Sequence, residues 1–162
     1  MSKIINYYNQ FDEWGRLDRE PVEFQVNWHF IKKYIPNKGN ILDNGAGPGK
    51  YSMKLAKEGY QVTLTDLTPK LVEIAKGKAM ELNLSNQFNG FYVEDARNLS
   101  NMDEEQFDAS LMLGPMYHLQ NENDRIRAIQ ELHRVTKENG VVFVAFMSRI
   151  RHVINSLSNP EN

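Results

Sequence analysis

The stretch Ile41-Leu42-Asp43-Asn44-Gly45-Ala46-Gly47-Pro48-Gly49-Lys50 sets an acidic residue ahead of glycines at alternate positions. Such a turn lets the backbone approach a ligand closely and aims amides from the next helix start at it. Spacing separates it from two better-known loops. A nicotinamide fingerprint G-x-G-x-x-G begun at Gly45 or Gly47 needs glycine at 50 or 52, where Lys50 and Ser52 stand. A phosphate-cradling P-loop would close with Gly-Lys-Ser/Thr, but Tyr51 follows Gly49-Lys50. Two more carboxylates, Asp66 and Asp95, can accept hydrogen bonds from hydroxyls or amines, and the imidazole of His118 can take a proton near neutral pH. His29, His118, His133 and His152 lie too far apart for a local ligand pair, so no metal site is expected.

These residues need elements that bring them together. Pro21 suits a first helical position, and Val22, Val26, Phe30 and Tyr34 at four-residue spacing predict an amphipathic helix over 21–34. A strand over 40–44 runs into the glycine turn, and 50–58 reads as a helix stopped by Gly59. A second strand, 61–65, points at Asp66; Thr68 and Pro69 then open a helix carrying Leu71, Ile74, Ala75, Ala79 and Leu82. Strands follow at 90–94 and 107–113. A helix over 124–137 turns Ile126, Ile129, Leu132 and Val135 inward, and an Asn139-Gly140 turn feeds a fifth strand over 141–146. Strands alternating with helices predict an α/β fold with a mostly parallel sheet covered on both faces.

In that frame the glycine stretch resembles the first motif of class I S-adenosylmethionine-dependent methyltransferases, with Asp43, Gly45, Gly47 and Gly49 matching residue by residue. The resemblance extends over about 25–147 and implies a doubly wound, Rossmann-like sheet ordered 3-2-1-4-5, with the cofactor across the carboxyl ends of the first three strands. It implies that the loop from Asp43 through Ala46 to Gly49 holds the cofactor, that Asp66 accepts the ribose hydroxyls, and that Leu67 packs on the adenine. Asp95 would then accept from the exocyclic amine, and the Ala96 amide would donate to a ring nitrogen. The fourth strand ends at Leu113, a further cofactor neighbour, before Gly114-Pro115-Met116-Tyr117-His118, where Tyr117 and His118 border the methyl acceptor. This loop lacks the Asn/Asp/Ser-Pro-Pro-Tyr/Phe of amide and nucleic-acid amine methylation, which points to a small-molecule acceptor.

Residues 1–20 form an aromatic-rich N-terminal segment, 21–147 the methyltransferase core and 148–162 a tail. The N-terminal segment is either a helix packing its rings on the sheet edge or, as in similar enzymes, a lid. In the second case Tyr8, Phe11, Trp14, Arg16 and Arg19 are lid residues, with Tyr8 and Arg19 on the cofactor. In the family a helix and an antiparallel strand pair follow the fifth strand. The tail is too poor in apolar residues to build them, so truncation or a covering partner is expected, and self-association through the fifth-strand edge with it.

At 162 residues with 41% hydrophobic and 25% charged residues, the chain has the composition of one soluble globular domain. Nineteen basic against 21 acidic side chains leave a net charge of −2, without the basic excess that phosphate-backbone binding needs. Nucleic acid is therefore not an expected partner. Zero cysteines exclude disulfides, thiolate metal sites and a cysteine nucleophile, and fit a cytoplasmic setting. The longest apolar run falls far short of the ~20 residues of a membrane helix. A non-catalytic S-adenosylmethionine-binding module and a nicotinamide oxidoreductase are the competing readings, the latter opposed by the glycine spacing.

Overall fold

A parallel sheet must be covered on both faces, because each crossover returns on one face or the other. Side chains along β1 (Asn40–Asn44) show the consequence directly: Ile41 enters one core cluster and Leu42 the other, both with no exposed surface. The computed structural model describes residues 5–7, 14–15 and 21–147. Helix α1 is Pro21–Tyr34; after β1 come α2 (Lys50–Lys57), β2 (Gln61–Asp66), α3 (Pro69–Glu81), β3 (Phe88–Val93), β4 (Phe107–Met112), α4 (Glu122–Val135) and β5 (Thr136–Val144). Every strand pairing is parallel and the order is β3-β2-β1-β4-β5, as the family resemblance implies.

The sheet separates two main layers. One face carries Ile31, Ile41, Leu55, Val62 and Leu111, packed by α1 and α2. The other carries Leu42, Leu99, Phe107, Met112 and Leu132, packed by α4. The β3–β4 crossover contributes to the second face without a helix of its own, through Leu99 and Met102.

Two helices turn differently from the periodicity expected of them. Val22, Val26, Phe30 and Tyr34 on α1 are 49–70% exposed. The buried stripe is instead Phe24, Trp28, Ile31 and Ile35. A strict four-residue spacing drifts by about 40° per step on a 100° helix, whereas alternating steps of four and three stay on one face. On α4 the expected set is spaced strictly by three, which drifts by about 60° per step in the other sense. Ile126 and Ile129 are 47% and 39% exposed, while Ala128, Leu132 and Val135, spaced four and three apart, are buried.

The fifth strand also departs from expectation. It begins at Thr136, directly on the end of α4, and Phe107 pairs with Thr136 before Ala109 pairs with Val141. The intervening residues bulge out, with Asn139 at a φ of 64°, so the expected turn at Asn139 and Gly140 lies inside the strand rather than ahead of it. Asp108 anchors this region, accepting from the Asn40 amide at 2.8 Å and from Lys137 Nζ at 2.7 Å. Among the described residues no helix is long and apolar enough to cross a membrane.

The α1 assignment can be checked by urea unfolding. Ile31→Ala removes a side chain with 1% exposure and is expected to cost about 2–5 kcal/mol, whereas Val26→Ala, at 49% exposure, is expected to stay within about 0.5 kcal/mol of wild type. Equal losses would place both residues on the buried face.

Candidate cofactor site

The carboxyl ends of β1, β2 and β3 converge on a loop that β2 holds in place. The Thr65 carbonyl accepts from the amides of Gly45 (2.9 Å) and Ala46 (3.0 Å), and Asp66 Oδ2 accepts from the Gly47 amide at 2.8 Å. Three successive loop amides thus face the end of β2. Gly45 has a φ of 72°, and a Cβ there would overlap the Pro115 ring, so the turn after β4 sits directly on the first glycine. Gly49, at φ 83°, heads α2 where a Cβ would press into Leu64.

Asp66 is 9% exposed and its second oxygen, Oδ1, accepts from the Thr68 amide at 2.8 Å. Burial pushes its pKa up, and the Thr68 and Gly47 amides pull part of the way back. The Thr68 hydroxyl adds a third donor to the two amides, so about one of the four lone-pair sites of the carboxylate remains for a ligand. The next residue, Leu67, is half-buried, and Thr68 at the N-cap of α3 turns its hydroxyl to Asp66 rather than to the helix amides.

Asp43 lies beneath the loop rather than along its rim. It is 2% exposed, accepts the Ser52 hydroxyl at 2.6 Å, and burial raises its pKa to about 6. Beside it Asn44 accepts from the Thr65 hydroxyl at 3.1 Å and directs its amide at the Met112 sulfur, joining β2, β1 and β4 in one buried chain.

At the end of β3, Asp95 is held by a residue that the sequence reading passed over. Arg97 donates from its main-chain amide (3.0 Å) and Nε (3.0 Å) to Asp95 Oδ1, and from Nη2 to Oδ2 at 2.6 Å. Its Nη1 reaches Asp124 Oδ2 in the first turn of α4 at 2.8 Å. Burial raises the Asp95 pKa, but the Arg97 bonds outweigh it and hold the carboxyl below the usual range. Two residues' spacing is a recognisable turn signal; the partner 27 positions away has none. Ala96 is buried in the core beneath α4. In the same first turn Arg125 donates to the Leu119 and Gln120 carbonyls, at 2.9 and 2.7 Å, which end the loop after β4.

The loop after β4 divides its side chains. Tyr117 and Leu113 line a cleft of about 920 Å³ with Phe30 of α1 and Phe143 of β5. His118 is exposed and feels the charge of Asp66; partial desolvation lowers its pKa, with Asp66 opposing. Tyr117 and Leu113 therefore share the cleft, whereas His118 belongs to the electrostatic surroundings of the β2 end. Trp14 packs on the core between α2 and α3, with the ammonium groups of Lys50 and Lys78 over its ring at 5.4 and 5.3 Å. Tyr8, Phe11, Arg16 and Arg19 lie outside the described residues.

Residues 41–140 match the methyltransferase domain family. The chain belongs to that family. It is a class I, S-adenosylmethionine-dependent type by its fold and glycine motif. Among its relatives, the Bacillus subtilis (strain 168) protein named as methyltransferase YqeM is 31% identical over 127 residues, covering 78% of this chain and 49% of that protein. The ubiquinone biosynthesis O-methyltransferase of Haemophilus ducreyi (strain 35000HP / ATCC 700724) is 32% identical over 123 residues, covering 72% and 51%. A crystal structure of a SAM-dependent methyltransferase from Methanosarcina mazei superposes with a TM-score of 0.68 at 27% identity, over 80% of this chain and 62% of the other. The chain spans about half the length of the sequence relatives it matches.

The buried carboxylate beneath the loop gives a pH test. An Asp43 pKa raised from 3.8 to about 6 means that the folded protein takes up a proton here before the unfolded chain does. The resulting stabilisation is complete below about pH 3.8 and is lost as pH rises through about 6. Asp43→Asn, which keeps an acceptor for Ser52, removes this dependence. Measured against that variant in urea at pH 4 and pH 8, wild type should gain about 2–2.5 kcal/mol on acidification. A pH-independent difference would show that Asp43 ionises as easily folded as unfolded.

Proposed function

We propose that the chain is the S-adenosylmethionine-binding core of a methyltransferase acting on a small molecule. The observation that carries this reading is Asp66: a buried carboxylate at the end of β2, hydrogen-bonded to the glycine loop and to the start of α3, with acceptor capacity left for a ligand donor. A ribose hydroxyl matches that remaining capacity. The donor and acceptor chemistry of the other strand ends fits the same ligand, with Asp95 accepting from the adenine amine, the Ala96 amide donating to a ring nitrogen and Leu67 packing on the ring.

The bound cofactor supplies a methyl group made electrophilic by its sulfonium. What the chain must add is alignment for in-line displacement, an effect worth up to about 7–11 kcal/mol in well-oriented systems. The cleft beside Tyr117 suits an apolar or aromatic acceptor, being lined by Val22, Phe30, Leu113, Phe143 and Phe146. His118, which follows Tyr117 in the loop and whose pKa partial desolvation holds below the ordinary imidazole value, is the group proposed to take a proton from an acceptor hydroxyl or amine. The name of the ubiquinone biosynthesis relative supports a small-molecule acceptor. A second reading, a non-catalytic binding module completed by a partner, draws support from the chain spanning about half of its relatives. Turnover against pooled metabolites separates the two.

Calorimetric titration with S-adenosylhomocysteine tests the site. Asp66→Ala should weaken binding by about 1.5–3 kcal/mol for each ribose hydrogen bond lost, and unchanged affinity would remove Asp66 from the site.

The same reading includes self-association along β5. Val142, Phe146 and Met147 are 48–65% exposed at this sheet edge, with Ile126 and Ile129 on the neighbouring helix. Among the described residues no further strand pairs with β5, and open edge groups beside apolar side chains favour pairing with another chain. Light scattering is expected to show a mass that rises with concentration; a monomer at every concentration would overturn this part of the reading.

A further inference from the structure

We infer that Arg97 is a positioning residue for adenine recognition, setting the one direction in which the Asp95 carboxylate can accept from a ligand. The inference rests on the proposed role of Asp95 and adds to it the residue that aims the carboxylate.

The argument is one of acceptor capacity. An ionised aspartate offers about four lone-pair sites on two oxygens. Oδ1 is filled by two donors of Arg97, the main-chain amide and Nε, both at 3.0 Å. Oδ2 takes the Nη2 contact at 2.6 Å and only the long arm of the shared Nε proton, at 3.2 Å. Ligand acceptance is therefore confined to Oδ2, on the side away from the guanidinium fork.

The fork is itself fixed from outside the loop. Nη1 binds Asp124 on α4 at 2.8 Å, so the guanidinium lies between carboxylates from two different elements. Planar, bidentate pairing of this kind fixes an angle as well as a distance. The segment behind it is short and closed, because Asn98 bridges back to Asp95 through its amide at 2.8 Å. A lysine at 97 would keep the charge and lose the geometry.

An amine at position 6 of the purine suits a fixed acceptor, whereas a carbonyl oxygen there is repelled. The orientation of Asp95 is thus a specificity determinant, and its loss should change the choice between bases more than it changes affinity in general. The experiment is calorimetry of the full chain with S-adenosylhomocysteine and with S-inosylhomocysteine, whose base carries oxygen in place of the amine. Wild type should prefer the adenosyl compound by about tenfold or more, as expected of a site built to hydrogen-bond one substituent. Arg97→Ala and Arg97→Lys should each cut the preference about fivefold or more, and Asp124→Asn, which leaves both loop residues in place, should cut it by a smaller factor. A purely structural role would lower affinity for both compounds equally and leave the ratio unchanged.

Asp95→Asn separates the two levels of the argument. If it abolishes the preference while Arg97→Lys and Asp124→Asn keep the wild-type ratio, Arg97 only staples the turn and the inference is wrong. If Asp95→Asn itself keeps the ratio, Asp95 does not read the amine and the inference falls with that assignment. Failure of wild type to bind either compound would overturn the proposed function as well. Should Arg97→Ala not fold, the lysine and Asp124 variants decide the question.

Discussion

Everything at the carboxyl edge of the sheet depends on how the end of β2 captures the glycine loop. The Thr65 carbonyl and the Asp66 carboxylate together take the amides of Gly45, Ala46 and Gly47. A loop with three left-handed glycines has many conformations open to it when free, and these three bonds select one. Once selected, it presents Gly45 to Pro115 and Gly49 to Leu64, so the turn after β4 and the start of α2 take their positions from it. Asp66 also carries the Glu94 amide on its main-chain carbonyl at 3.1 Å, which extends the same control to the end of β3.

That arrangement concentrates acidic groups in little solvent. Asp43, Asp66 and Glu94 are each under 10% exposed. Burial disfavours the charged forms of Asp43 and Asp66, and all three carboxylates meet donors: the Ser52 hydroxyl and amide for Asp43, two amides and the Thr68 hydroxyl for Asp66, and the Asn101 amide and side chain for Glu94. Asp43, with its pKa raised to about 6, supports the loop from below, whereas Asp66 joins the loop to the start of α3 and keeps acceptor capacity for a ligand.

Much of this was legible in the residues. Alternate glycines after an acidic strand end, followed by Asp66 and Asp95 at the ends of later strands, identify the edge because parallel strands all finish on the same side. Helix faces were less legible. In α1 and α4 several apolar side chains compete for the core, and the four-and-three alternation that wins in each leaves Val26 and Ile129 outside. The β5 bulge escaped notice because Asn139-Gly140 is equally good chemistry for a turn before a strand and for a turn within one. The Arg97–Asp124 pair was invisible for a different reason: an ion pair between a loop and a helix 27 residues on leaves no local pattern.

The first turn of α4 holds two loops by neighbouring residues, Asp124 gripping Arg97 from the end of β3 and Arg125 gripping the carbonyls of Leu119 and Gln120. Successive helical residues are separated by a fixed rise of about 1.5 Å and a fixed rotation. The helix therefore serves as a common datum: each loop is located against it, and the interval between their anchor points is a property of helical geometry alone. A slide or tilt of α4 carries both anchors as one body and leaves that interval unchanged. Insertions or shortenings within either loop alter its own path without resetting the other, so the two loops can diverge in sequence while their separation at this turn stays the same.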